Sequence, residues 1–345
     1  MVPVNRQLQN KLLQHAIEIL RLSKGEASKI VRLLDKTVYR EIVYKYQQQL
    51  LRVKRLGSLS SYAESQRLKE MMYSIQSIMK IGMEKAYAQT RSSLTSIAEF
   101  EGRWNYKVLK KLVEPFDINF SMPSVSTLRS IVVTKPFEGD ILKNWFSKLD
   151  KSVGIRIGEQ LNIGIVQGEA VPTIARRLET VLDYSRRNTT SIVRTAVNSI
   201  STEARLLVNQ ENGDVIEGEQ IIATLDARTT PLCRAMDGKV YPIGVGPRPP
   251  FHWNCRTTVA PVLKSWKQLG IKLSEAPEGT RASMDGQVPD RVTYQQWLKG
   301  LSAEEQDDIL GPNKGKMFRQ GMKVTAFVDA DFQPLTLDEL QRRES

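Results

Sequence analysis

The sequence is poor in the two residue types that most often carry site chemistry. It has 2 cysteines, Cys233 and Cys255, and 2 histidines, His15 and His252. A disulfide framework normally uses more thiols, so the fold is expected to rest on its own core, with one bridge between the pair left open. No apolar run approaches the roughly 18 residues that a membrane-spanning helix requires, and none is expected. The start, Met1-Val2-Pro3-Val4-Asn5, has no basic stretch followed by an apolar one, so a secretory leader is not expected either. Internal repeats, low-complexity tracts and an Arg/Lys-rich tail are all missing. Together these absences point to folding in the cytoplasm of the cell that makes the chain.

What is present is size, apolar content and positive charge. A chain of 345 residues is long enough for two domains or one elongated body. Hydrophobic residues are 41%, enough for a sizeable core, and charged residues are 26%, so the composition is not that of a disordered chain. The formal net charge of +12 should attract polyanions. Many soluble proteins carry such an excess without binding nucleic acid. The basic residues are dispersed, with short clusters at Arg52–Arg55, Arg176-Arg177 and Arg186-Arg187. The last two pairs are the candidate DNA contacts.

Helical periodicity dominates the first half. Leu8, Leu12, Leu13, Ala16, Ile17 and Leu20 recur at three- and four-residue steps and predict a helix over 5–22. Gly25 is expected to break or bend it, and Ala27, Ile30, Val31, Leu34 and Val38 begin a second helix that runs to about 51. Residues 57–61 read as a turn. A long helix follows over about 62–100, with Met71, Met72, Met79 and Met83 as core or interface fillers. Pro115, Pro123 and Pro136 interrupt the pattern, and 128–133 reads as a short strand or extended connector. Helix returns with Ile141, Leu142, Trp145, Phe146 and Leu149. Gly158 and Gly164 lie inside helical periodicity at a cost of about 1 kcal/mol each, which close backbone packing would explain, the alternative being simple tolerance in a well-packed helix. Pro172 suits the first turn of a helix over 171–184, and 189–209 forms another. Asn212-Gly213-Asp214 is a tight turn, and 221–225 is a strand candidate. Near the end, 294–298 is a short helix, Ser302 and Glu305 match a capping box, and 312–316 is a turn. Residues 323–328 read as a strand and 334–340 as a short acidic helix.

The dense stretch is 226–261. Cys233, His252 and Cys255 are three potential zinc ligands, with Asp226 or Asp237 as a fourth. The Cys-x2-4-Cys knuckle common in structural zinc sites is missing. Either cysteine with His252 is also the raw material of a thiolate–imidazole nucleophile, but no third, orienting residue stands out. The alternative is structural. Asp226 pairs with Arg228 or caps a turn, Asp237-Gly238 forms a hairpin turn between short strands, and Pro249-Pro250 stiffens the approach to His252. The cysteines then lie side by side as small buried groups or as a disulfide.

These residues carry a resemblance. The order Asp226, Arg228, Thr229, Pro231, Cys233, then Asp237-Gly238, then Pro249, Pro250, His252, Cys255 and Arg256 resembles the Mu-F-type phage head-morphogenesis family. Gln167-Gly168 upstream and Thr293, Tyr294, Trp297, Leu298, Leu310, Gly311 and Pro312 downstream extend it over about 155–319. Many relatives have cysteine where Thr230 and Thr257 stand here, so the resemblance implies zinc less strongly for this chain, and the expectation is no cofactor, with zinc as the alternative.

The resemblance implies a minor structural protein of a tailed-phage head. Its partners would be the portal protein, a capsid or scaffolding protein and packaged double-stranded DNA. Its place would be the virion head or portal vertex, after assembly in the host cytoplasm. It also implies a part in genome retention or delivery. The alternatives are a non-specific DNA-binding internal virion protein, or a nuclease- or transferase-like enzyme derived from the same module. The expected class is α+β, an extended helical region followed by a small mixed module. The expected divisions are a helical docking region over 1–114, a proline-bounded connector and helix over 115–150, the head-morphogenesis module over 151–320, and a strand and short helix over 321–345.

Overall fold

The computed structural model describes residues 4–54, 62–114, 118–265, 267–270, 280–289 and 291–344. The turn expected at 57–61, and Pro115, lie outside these residues. The class is α+β: long helices first, then a region of short strands with a Cys/His group. The chain divides into two compact units, neither contiguous in sequence. Unit 1 takes Met1–Leu20, Ala98–Ile131 and Asn198–Ser345, and unit 2 takes Arg21–Ile97 and Val132–Val197.

Unit 2 is helical. Helix α1 (Val4–Leu34) passes straight through Gly25, then a π-helical turn (Asp35–Tyr39) leads into α2 (Arg40–Lys54). The break expected at Gly25 does not occur, since one glycine costs only about 1 kcal/mol in a helix and buried Ala27, Ile30 and Leu34 offset it. Met71, Met79 and Met83 of α3 (Tyr62–Val113) are buried as core fillers. Helices α5 (Leu142–Val166) and α6 (Val171–Glu211) add Val153, Ile157, Leu161, Ile174, Leu178 and Leu182 to the interior. A Cβ on Gly164 would stand 2.5 Å from Ile174 Cγ1, which explains that glycine by close approach, whereas one on Gly158 would meet only the flexible end of Met72, Cε, at 3.2 Å. Residues 171–184 and 189–209 are parts of one helix, because no Gly or Pro interrupts 173–211.

Unit 1 is mixed. The three-stranded antiparallel sheet has the order β2-β1-β3, from β1 (Ile216–Ile222), β2 (Val240–Tyr241) and β3 (Thr258–Leu263). Glu219 pairs with Tyr241 on one side and Pro261 on the other. Leu109, Val208, Val215, Ile216, Ile222 and Leu263 form one core around it. A hairpin of β4 (Thr280–Ser283) and β5 (Gly286–Pro289) follows. A second core holds Leu225, Tyr294, Trp297, Leu298, Phe318 and Phe327.

Several local expectations change. Residues 128–133 lie in α4 (Val125–Thr134), not in a strand. The Ser124 hydroxyl accepts from the Thr127 amide at 3.0 Å, and Leu128, Ile131 and Val132 are buried at helical spacing. Asp237-Gly238 does not join two strands: it leaves the short helix α7 (Pro231–Met236) and enters β2, with Gly238 at φ +80°. Residues 312–316 begin α10 (Pro312–Arg319), with proline at its first turn where the missing amide is harmless. The strand expected at 323–328 is a 3-10 turn (Val324–Phe327), and the Val324 amide donates to the Gln295 side chain rather than to a ladder. The expected short helices are α8 (Tyr294–Lys299), α9 (Ala303–Leu310) and α11 (Leu337–Glu344). Ser302 and Glu305 make the capping box on α9.

Candidate functional site

The site is assembled from α7, the loop before β3, and the start of β3 itself. Thr230 caps α7: its hydroxyl accepts from the Cys233 amide at 3.4 Å, and Pro231 occupies the first turn. That cap puts Cys233 one turn into the helix, facing inward. The second half comes from a tight turn over 252–255, closed by the Cys255 amide on the His252 carbonyl at 3.0 Å. Asn254 takes φ 59°, a left-handed conformation that asparagine tolerates. The preceding Pro249-Pro250 bond is cis. From α6, Asn198 donates to the carbonyls of Cys255 at 2.9 Å and Thr257 at 3.3 Å and fastens the loop.

The result brings Cys233, His252 and Cys255 into one group, with ligand atoms all within 4.8 Å of one another. The two sulfurs stand 3.8 Å apart as free thiols, too far for a bond of about 2.05 Å. His252 Nε2 is 3.3 Å from the Cys233 sulfur and 3.1 Å from the Thr230 hydroxyl. Its other nitrogen, Nδ1, donates to the Trp253 carbonyl at 2.9 Å. Each cysteine is 2% exposed. The hydrogen bond from Cys233, with His252 adding to it, outweighs burial and pulls the Cys255 thiol down to about 4. The same hydrogen bond together with burial pushes Cys233 up.

Around this group the carboxylates of the motif clamp the backbone. Of the two roles expected for Asp226, capping a turn is the one seen, and its side-chain ion pair is with Arg256. The Arg256 guanidinium forks onto both carboxylate oxygens, one contact at 2.8 Å, while exposed Arg228 donates its backbone amide at 3.0 Å. Thr229 donates to Asp226 at 3.1 Å and also to the Thr224 carbonyl. Burial alone would raise the Asp226 carboxyl, but the Arg256 hydrogen bond and charge hold it below its ordinary range. The Asp237 carboxylate is fully buried and accepts from the amides of Ala223 and Tyr294, each at 2.7 Å, and from Arg281 at 3.1 Å.

Two further buried pairs were not read from the sequence. Arg205 of α6 is 1% exposed and reaches Glu101 of α3 at 3.0 Å, with His15 on the other oxygen of that carboxylate. His15 stacks on Trp104 with ring centroids 3.6 Å apart. Glu219 of β1 pairs with Arg248 and accepts from Asn209 at 2.7 Å. The available signal was a charged residue, Arg205, inside an apolar stripe, and it does not name a partner 104 residues away.

The candidate DNA contacts differ among themselves. Arg177 forks onto Glu169, at 2.7 Å and 2.6 Å, and Arg186 is shared by Asp35, Glu179 and Asp183. Arg176 and Arg187 are exposed. Arg187, Arg156 and Arg177 line one open groove of unit 2.

Residues 156–260 match the family described as Phage Mu protein F like protein. The phage head-morphogenesis resemblance is thereby shown. The Mu F-like segment runs from the middle of α5 into β3 and contains the full order from Asp226 to Arg256. The downstream residues Thr293 to Pro312 lie beyond it. No curated protein and no solved structure gives a match. The Mu F-like segment therefore points to phage head morphogenesis, a virion component and other head proteins as partners. Among the described residues no helix is long and apolar enough to cross a membrane.

Proposed function

We propose that the chain is a minor structural protein of a tailed-phage head, acting at the portal vertex during procapsid assembly and taking part in retaining or delivering the genome. The observation that carries this reading is the Mu F-like match over 156–260. The geometry of that segment supports it. Its motif residues hold shape: Asp226 with Arg256, Asp237 with two amides and Arg281, and Thr230 on the end of α7. The portal protein and a capsid or scaffolding protein are the proposed partners. Tyr44, Tyr73 and Ile81 stand 63%, 79% and 51% exposed on the helices and are the proposed docking side chains. Large apolar groups left in water gain most from a partner surface.

Contact with packaged DNA falls to the exposed Arg176 and Arg187, while Arg177 and Arg186 are held by carboxylates. Such contact would be insensitive to sequence and weakened by salt. The test of the main reading is an asymmetric reconstruction of procapsids containing the chain. Density confined to the portal-bearing vertex is the expected result, and even distribution over the shell would exclude it. A double variant, Tyr73→Glu with Ile81→Glu, should be left out of heads while remaining folded. Metal-dependent cleavage of DNA by the purified chain, lost in Asp226→Ala without unfolding, would favour the enzyme alternative instead.

A further inference from the structure

We infer that Cys233, His252 and Cys255 form a three-ligand zinc site whose fourth position is taken by water. This inference does not depend on the role in head assembly. Two thiolates bound to one tetrahedral zinc at about 2.3 Å stand about 3.8 Å apart, and a thiolate and an imidazole nitrogen about 3.6 Å apart. The sulfurs here are 3.8 Å apart, and His252 Nε2 is 3.3 Å from the Cys233 sulfur. Two of the three separations are thus close to those an ion would impose, and all three ligand atoms lie within 4.8 Å of one another.

The orientation of the imidazole makes the same point independently. Nδ1 donates its proton to the Trp253 carbonyl at 2.9 Å, so the lone pair of the neutral ring is on Nε2, the atom that faces the sulfur. A ligand histidine is commonly fixed in this way by a carbonyl behind it. Thr230 completes the surroundings, its hydroxyl 3.1 Å from Nε2. Among the described residues no fourth Cys, His or carboxylate joins the group. Soft thiolates with one imidazole select zinc over magnesium or calcium, which prefer oxygen ligands. Binding releases the protons of the two thiols and forms two Zn–S bonds and one Zn–N bond, with no change in oxidation state. The ion would tie α7 to the turn that precedes β3, joining positions 22 residues apart.

The test uses the full chain, purified with its thiols reduced and dialysed against zinc and then metal-free buffer. One equivalent of zinc is expected by elemental analysis. Both thiols should be shielded from alkylation until a strong chelator is added, and the melting temperature should fall on chelation. Cobalt in place of zinc should give the thiolate charge-transfer and d–d absorption of a tetrahedral centre. Cys233→Ser, Cys255→Ser and His252→Gln should each lose stoichiometric metal. Thr230→Cys should bind zinc more tightly than the parent in competition with a chromophoric chelator, by supplying a fourth ligand where water stood. A reduced parent chain that holds no stoichiometric zinc, or thiols that alkylate at the same rate with and without it, would overturn the inference. This readout needs no variant to fold.

Discussion

The two units are held by different physics. Unit 2 has an apolar interior that includes the buried Leu178, Val153, Ile75 and Met79, and its arginine clusters lie toward solvent, as Arg186 does with Asp35, Glu179 and Asp183. Unit 1 places carboxylate–arginine pairs inside: Glu101 with Arg205, Glu219 with Arg248, Asp237 with Arg281, and the half-buried Asp226 with Arg256. A buried pair adds little net stability over an apolar core, but losing one partner strands a charge in a poor solvent. Apolar packing tolerates small changes in shape, whereas these pairs demand fixed partners. The lesson is that the Mu F-like motif residues lie where geometry is held by polar contacts.

The largest effect is expected from breaking a pair. Glu101→Ala strands Arg205 and removes the partner of His15, and should cost about 3–5 kcal/mol by chemical denaturation. Replacing both members, Glu101→Met with Arg205→Leu, should recover most of that loss. If the single and double variants are equally destabilised, charge stranding is not the cause. In unit 2 the corresponding test is Leu178→Ala, where the fully buried side chain leaves a cavity costing about 2–5 kcal/mol. Gly164→Val should cost less, about 1–3 kcal/mol, by overlap with Ile174, and a neutral result would remove close approach as the reason for that glycine.

Acid should separate the units further. In unit 1, burial would raise the Glu101 carboxyl, but the Arg205 charge and the His15 hydrogen bond hold it below its ordinary value of 4.5. A depressed carboxyl stabilises the fold above its unfolded value, and that stability is lost as pH falls through the folded one. Asp150 in unit 2 is raised instead, first by burial and then by Glu84. Its raised value gives stability that is present below the unfolded value of 3.8 and lost as pH rises through the folded one. Hydrogen exchange followed from neutral pH down through the carboxyl range should show amides around Glu101 losing protection before those around Asp150. The reverse order would contradict this assignment. The smallest effect is expected at the surface, where Ser302→Ala removes the cap of α9 for about 1 kcal/mol.

The same contrast explains what the sequence made legible. Helices were readable where apolar residues recur at helical steps, as in α1, α3 and α6, and so were the local caps at Ser302 and Pro172. Gly164 was readable because its cost demanded a reason. Leu128, Ile131 and Val132 were misread because β-branched residues flanked by proline look extended, and only burial of that face fixes the helix. Lys323 to Val328 looked like a strand because it is rich in β-branched and aromatic residues, but the Gln295 side chain takes the amide that a ladder would use. In the site, the order of Asp226, Cys233, His252 and Cys255 was visible, and so was the grouping of the last three as candidates. Arg256 as the partner of Asp226, Arg281 as the partner of Asp237, and Asn198 as the anchor of the loop were not, because each pairing closes over 30 or more residues and leaves no periodic trace.

The most direct test of the account counts this chain in procapsids assembled with and without the portal protein. The account predicts a low, fixed number of copies per head when the portal is present and loss of the chain when it is absent. Equal incorporation into both kinds of head would contradict it.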